Sequence, residues 1–471
     1  MRNILLSILL VSILFACART ADIKSVAMPV ETPQQTILPK ISKDVDFLSA
    51  DDAVKVANLF NHGTVLTKSE TLKEIKDVVP IKDDSGCTLI YAVNYTDGYD
   101  LISATKKYYP VLAMVEHGTY TGEQTNTGYD VIMNEYVEAT QAAIDGKITI
   151  DRNQWAVYEE VPYNAPVQTK VSDAYTEVLD RYMEDWYMAG YNFYRLNMKP
   201  ENMPDEMYET FCDYARDYDR PDHDYMYCSF IVENNHDFRI EEGPFCQTIW
   251  GQNLGYNDDV PGCLDLGCST VAIGQIMKCL DHPDSINWNG ITNMLPVGGN
   301  NTLTNFLAGL RKNIGVSNNG NASISQVKNA LESSYGYVPN QGFRISIINH
   351  NSAQVEQSLI RKVPVYMRGT NPSTTIGHAW VCDGYYTTHA QTEFYLYVIP
   401  FGAGEITELT NICTDRVYPE NFVIHNYYHM NWGHFGNNNG YFYKEALWGN
   451  FSTDRKDLII ARVPNDEESI M

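Results

Sequence analysis

The chain has 471 residues, about three times the ~150 of a typical domain, so two or three domains and a sizeable core are expected. Hydrophobic residues make up 44 % of it, including 33 tyrosines, which excludes a chain that is mainly disordered. The 34 Lys and Arg against 59 Asp and Glu leave a net charge of −25, which repels nucleic-acid phosphates and anionic lipid headgroups, so no nucleic-acid partner is expected.

Residues 1–16 read as an export signal, with Arg2 as the positive end and an apolar run over 4–15 too short to span a membrane. Leu14-Phe15-Ala16-Cys17 resembles a bacterial lipobox, in which the chain is cut before the cysteine and a lipid is placed on Cys17. An ordinary secretory signal cut nearby is the alternative, and both export the chain. Cell-surface or outer-membrane attachment is then expected through a lipid on Cys17 alone, and secretion if there is none. Residues 17–44, rich in Thr, Pro, Gln and Lys, read as a tether. Nine cysteines lie beyond Cys17, so in an oxidising compartment at least one stays unpaired within the chain.

A small α+β domain is predicted over 45–165. Ser49 suits the N-cap of a helix over 51–61, with Asp51 and Asp52 favouring its positive end. Short apolar runs predict strands at 88–94, 99–103 and 111–115. Residues 166–240 read as a helical and acidic connector: Val178, Leu179, Tyr182, Trp186, Tyr187 and Tyr191 form an aromatic stripe, and 200–224 is acidic with three prolines. From 241 to 465 helices are expected at 268–280, 303–313, 325–334 and 352–362. Strands follow at 363–367, 379–386, 394–399, 441–443 and 458–463. Helices first and sheet second mark an α+β domain with two unlike halves.

Four short segments in this last domain carry chemistry. Cys268 follows Gly267 at a predicted helix start, where free backbone N–H groups and the helix dipole favour a thiolate. Its alternatives are an inert buried thiol, a half-disulfide with Cys263 or Cys279, or a ligand in a Cys263, Cys268, Cys279 and His282 cluster. That cluster lacks the paired spacing of structural zinc sites, and no metal or cofactor is expected. His378, after Gly377 at a predicted strand start, is placed to act as a base, though it is one of 11 histidines. Asn431 offers an amide oxygen to hold the imidazole, and Trp432 and Gly433 would wall that contact off from water. Gln252 offers an amide N–H to an oxyanion beside the backbone N–H of Cys268.

The order is Gln252, Cys268, His378 110 residues on, and Asn431-Trp432-Gly433 another 53 on, which is the chain order of the papain clan. More closely, the sequence resembles the streptopain family of bacterial cysteine peptidases. The resemblance is carried by Thr248-Ile249-Trp250-Gly251-Gln252, Gly267-Cys268 with Gln275, Val363-Pro364-Val365, Gly377-His378-Ala379 with Asp383-Gly384-Tyr385, and Asn431-Trp432-Gly433 with Gly440-Tyr441-Phe442. Residues 53–60, 89–94 and 98–112 resemble that family's propeptide.

The resemblance implies a papain-like catalytic domain, with a helical half carrying the Cys and an antiparallel β half carrying the His, made as a zymogen behind a small α+β propeptide. It also implies protein or peptide substrates with a bulky apolar residue on the N-terminal side of the scissile pair. Three positions depart from the family: His434 replaces a second Trp, Cys246 an aliphatic residue with Cys263 as one conceivable disulfide partner, and the 166–240 stretch is long. Cys382 is expected in the core. The leading expectation is an exported cysteine endopeptidase inhibited by its own propeptide and open to control by a protein inhibitor. The alternatives are a catalytically silent surface lipoprotein that binds a partner or inhibits a protease, and an acyl-transferring enzyme of the same clan.

Overall fold

The computed structural model describes residues 36–63, 65–66, 71–123, 127–159, 191–196, 199–201, 203–218, 226–370, 377–401, 410–417, 423–444 and 455–463. The export segment 1–16, Cys17, most of the 17–44 tether and the stripe from Val178 to Tyr187 lie outside the described residues. In chain order the strands are β1 (Thr36–Ile37), β2 (Val65–Leu66), β3 (Ile75–Lys82), β4 (Thr88–Tyr95), β5 (Tyr99–Ser103), β6 (Val111–Val115), β7 (Tyr191–Arg195) and β8 (Met226–Glu242). They continue with β9 (Phe343–Asn349), β10 (Val365–Thr370), β11 (Gly377–Phe401), β12 (Thr410–Val417), β13 (Val423–Asn431), β14 (Gly440–Tyr443) and β15 (Lys456–Arg462). The helices are α1 (Ala50–His62), α2 (Thr127–Ile144), α3 (Asp205–Tyr218), α4 (Cys268–Leu280), α5 (Asn301–Ile314), α6 (Ile324–Ser334) and α7 (Ser352–Ile360). They form two compact units. The larger takes in Pro33–Tyr191, Asn235–Thr392 and Tyr418–Met471; the smaller takes in Asn192–Asn234 and Glu393–Val417.

In the larger unit α1 starts where Ser49 was expected to cap it. The Ser49 hydroxyl accepts from the backbone of Asp52, whose carboxylate accepts from the backbone of Ser49. Such a reciprocal cap is worth about 1 kcal/mol. Ala53, Val56, Ala57, Leu59 and Phe60 then bury one face. Strands β4, β5 and β6 fall close to their expected places. Strand β3 was not anticipated, because Pro80 interrupts it and none of its residues is fully buried. It lies at the sheet edge, where a missing N–H costs no ladder bond.

The sheet runs β3-β4-β5-β6-β14-β13-β11-β10-β15-β9. The propeptide-like strands and the later strands are thus one sheet, joined where Val115, Met114 and Ala113 pair antiparallel with Gly440, Tyr441 and Phe442. The inner strands of that sheet are buried on both faces. Val365, Met367, Trp380 and Cys382 enter a core shared with α1 and α2, while Tyr366, Ala379 and Val381 enter a second core with α4, α5 and α6. This is the alternation of a strand read out twice.

Helix α2 was missed because it has no single apolar stripe: Tyr129, Val131, Ile132, Met133, Tyr136, Ala139, Ala142 and Ala143 are all buried, so its periodicity is faint. The mixed helix and antiparallel sheet architecture is of the expected α+β class.

In the smaller unit α3 occupies much of the stretch read as an exposed acidic connector. Phe211 and Ala215 of α3, with Met203, Ile231, Phe394, Leu396 and Cys413, make a small core of their own. The acidic face of α3 misled the reading, since only one stripe of the helix is apolar. Among the described residues no helix is long and apolar enough to cross a membrane.

Candidate active site

Cys268 is the first residue of α4. Gly267 before it has φ +83, and a Cβ there would lie 2.5 Å from the Gly320 carbonyl oxygen, so this tight approach requires glycine. No side chain caps the helix, which leaves its first N–H groups facing the thiol.

Burial alone would push the Cys268 thiol up. The charge of His378 and its hydrogen bond to the sulfur, helped by backbone N–H groups of Ala379 and Ser269, outweigh that and bring it down to about 7. The same contact raises His378 above its ordinary value against the opposing effect of its own burial, with the Trp432 carbonyl and Asp130 adding to the rise. The two titrate as a pair, each favouring the charged form of the other.

His378 lies near the start of β11, on the face of the sheet that also carries Trp380. Its ring stacks on Trp380 with centroids 6.5 Å apart and planes 11° from parallel, and Trp380 in turn meets Trp432 at 5.4 Å. His378 Nε2 donates to the Trp432 carbonyl oxygen at 3.2 Å, which leaves Nδ1 for the sulfur.

Asn431 was expected to hold this imidazole, and it does not reach it. Its Oδ1 accepts from Gln275 Nε2 at 3.2 Å and from the Gly433 N–H at 3.1 Å, and its Nδ2 donates to the Thr248 carbonyl at 2.7 Å. The reason is register: Asn431 pairs with Val381, so its side chain stands on the helical face with Val381, whereas His378 stands on the other face with Trp380. The imidazole is held instead by the backbone oxygen one residue on. Asn431 acts on it indirectly, by fixing the Gly433 peptide.

Gln252 is tied by its backbone, whose carbonyl accepts from the Leu266 N–H at 2.9 Å two residues before the nucleophile candidate. Its half-buried amide makes no hydrogen bond among the described residues, so it stays available to a ligand. Gly433, at φ +66, packs against Val271 of α4, where a Cβ would stand 2.9 Å from that side chain. Gly377 pairs with Thr370 at the start of β11. His434 is pushed down by burial and by the His378 charge, which places it within electrostatic reach of the site.

Cys382 is buried in the core shared with α1 and α2, and burial drives its thiol far from ionisation. Cys246 is a free, buried thiol and is not bridged to Cys263, which is exposed and also free. Cys279 is likewise free, so Cys268 has neither of the disulfide partners considered for it.

The first turn of α2, unforeseen in the sequence, reaches the same imidazole. A Cβ on Gly128 would lie 2.2 Å from His378 Cδ2, 2.8 Å from its Nε2 and 3.0 Å from Trp432 Cε3, so the bare backbone of α2 lies against the ring edge. Two residues on, burial pushes the Asp130 carboxyl up to about 6 against the pull of His378, and its Oδ1 is buried without a hydrogen-bond partner. A Thr-Gly pair ahead of an apolar run carries no chemical signal, so only the fold could have disclosed this contact. Tyr366 was missed as well; its hydroxyl and that of Ser269, the residue after Cys268, lie 2.9 Å apart.

Residues 284–442 match the Peptidase C10 family, a span that contains His378 and Asn431-Trp432-Gly433 and starts after Cys268. The resemblance to streptopain-type cysteine peptidases is borne out by that match. No curated protein matches the chain. Among solved structures the chain is similar to a fragment of Prevotella intermedia prointerpain A carrying a Cys-to-Ala mutation, at 14 % identity and a TM-score of 0.44. The similarity covers 81 % of this chain and 97 % of that one.

Proposed function

From the family match over residues 284–442 as premise, we propose that this chain is an exported cysteine endopeptidase made as a latent precursor. The observation that carries the reading is the Cys268–His378 pair at the start of α4, with the thiol brought down to about 7 and the imidazole anchored by the Trp432 carbonyl. The Cys268 thiolate attacks the scissile carbonyl carbon, and the carbonyl oxygen takes the negative charge. Gln252 Nε2 and the Cys268 N–H receive that oxyanion; one such donor is worth on the order of 10²–10³ in rate. His378 holds the thiol proton and passes it to the leaving amine, after which water releases the acyl group from sulfur.

Latency rests on α2. With Gly128 against the imidazole and Trp432, the peptide chain of a substrate cannot lie over His378 until α2 moves away. Residues 1–16 then serve as the export signal, with Cys17 as the lipid-bearing residue. The test is to treat the full chain with an irreversible epoxide inhibitor of thiol peptidases, before and after light proteolysis, and to locate the adduct by mass spectrometry. Adduct on Cys268 mainly after cutting is expected. Its absence in both states, with the thiol shown to be reduced, would overturn the reading in favour of a silent binding protein. Radiolabelled palmitate incorporation that disappears in Cys17→Ala tests the anchor separately.

A further inference from the structure

Two cysteines other than Cys268 each lie against the backbone that flanks the other. Cys246 lies in the stretch that runs from Gly243 to Gln252, and Cys279 lies in the last turn of α4. The Cys246 sulfur is 3.8 Å from the Gln275 carbonyl oxygen, and the Cys279 sulfur is 3.4 Å from the Phe245 carbonyl oxygen. Gln275 and Cys279 are one helical turn apart and Phe245 and Cys246 are adjacent, so each sulfur rests on the backbone beside the other cysteine, near enough for Cys279 to act on the Cys246 thiol.

The position is held firmly from the sheet side. The Cys246 N–H donates to Asp383 Oδ2 and the Phe245 N–H to the Asp383 carbonyl, both at 2.9 Å. Both thiols are free, Cys246 fully buried and Cys279 half-buried.

We propose that Cys246 and Cys279 are a disulfide site, closed by a small-molecule disulfide or a disulfide-bearing oxidoreductase, which staples the Gln252-bearing stretch to the helix that carries Cys268. The closed loop runs from 246 to 279 and contains both Gln252 and Cys268, so the staple limits how far oxyanion donor and nucleophile can separate. The chemistry is independent of the peptidase reading; its setting in the cell rests on the export proposed above.

Closure starts at Cys279, the more accessible sulfur. Its thiolate attacks one sulfur of the oxidant and expels a thiolate, leaving a mixed disulfide. Cys246 then gives its proton to solvent, attacks the Cys279 sulfur and expels the second oxidant thiol. Two protein thiols are oxidised by two electrons, and one oxidant disulfide is reduced to two thiols. Burial, the Cys279 contact and the Asp383 carboxylate keep the Cys246 thiol protonated, which is why it acts second. The nucleophile stays out of the exchange because its sulfur faces His378 at the far end of α4.

The experiment uses the purified full chain, incubated with oxidised or reduced glutathione, alkylated under denaturing conditions and digested without reduction. A linked peptide pair containing Cys246 and Cys279 is expected after oxidation, separating into two peptides on reduction. The oxidised chain should also unfold several degrees higher than the reduced one, a difference that vanishes in the Cys246→Ala/Cys279→Ala double variant. Alkylation of both residues after oxidation, or linkage of either to Cys263, would overturn the proposal. The linked pair formed by glutathione but absent from protein recovered from cells would support the pairing and overturn the export setting.

Discussion

Helices α4 and α2 both begin at His378, one from each core that flanks the sheet, and they bring opposite things to it. At α4 the first residue is a cysteine behind an uncapped glycine, so the sulfur meets free N–H groups on one side and the imidazole on the other. At α2 the contacting residue is a glycine, and the helix offers only bare backbone and a carboxyl that burial has pushed up to about 6. Both helix ends have the same dipole sense. The presence or absence of one side chain decides whether the helix end sets a thiol or bare backbone against the imidazole.

The largest effect expected is on the α4 side. Cys268→Ala should reduce turnover on the order of 10⁴-fold or more, with unchanged circular dichroism; a variant that still cut casein at the parent rate would dissolve the contrast between the two helix ends.

On the side of the propeptide-like strands, His429 binds Asp383 Oδ1 at 2.6 Å through Nδ1 and stands 3.5 Å from Glu116 through Nε2. Burial would lower its pKa, but the two carboxylates raise it to about 9. A raised histidine contributes stability that is complete below its unfolded value near 6.5 and lost as pH climbs through 9, by about 3 kcal/mol. Urea melts at pH 6.5, 8 and 10 measure this, and a His429→Gln variant should flatten the curve.

Filling the cover sharpens the comparison next. In Gly128→Val the new side chain must collide with His378 and Trp432, so α2 has to lift, at about 1–3 kcal/mol of stability. The uncut variant should take up the epoxide probe faster than the parent; equal rates would remove α2 from the account of latency.

The smallest effect concerns the indirect support. Asn431→Ala strips hydrogen bonds from Gln275, Gly433 and Thr248 and should cost about 1–3 kcal/mol in stability. Because the imidazole rests on the Trp432 carbonyl, the pH at which Cys268 labelling reaches half its maximum should move little. A large move would mean that Asn431 contacts His378 directly in the active state.

What was legible in the chain was local. Ser49 announced α1 through its cap, Gly267 announced the start of α4, and short apolar runs announced β4, β5 and β6. The chain order of Gln252, Cys268, His378 and Asn431-Trp432-Gly433 pointed to the site because residue type and order survive any rearrangement of loops. Helix α2 was hidden, since a helix buried nearly all round shows no stripe, and strand β13 was hidden because Asn426, His429 and Asn431 break its apolar pattern and find partners only across the fold.

The sequence by itself determined which side chains can do acyl chemistry and that one of them starts a helix, because capping, dipole and side-chain chemistry act within a few residues. Only the tertiary structure decided that Asn431 turns away from His378, that a backbone carbonyl takes its place, that Gly128 lies on the ring, and that Cys246 meets Cys279. Each of these depends on strand register or on the approach of segments 30 to 250 residues apart. A shift of one residue in pairing would send every side chain to the opposite face, and nothing local in the chain encodes it.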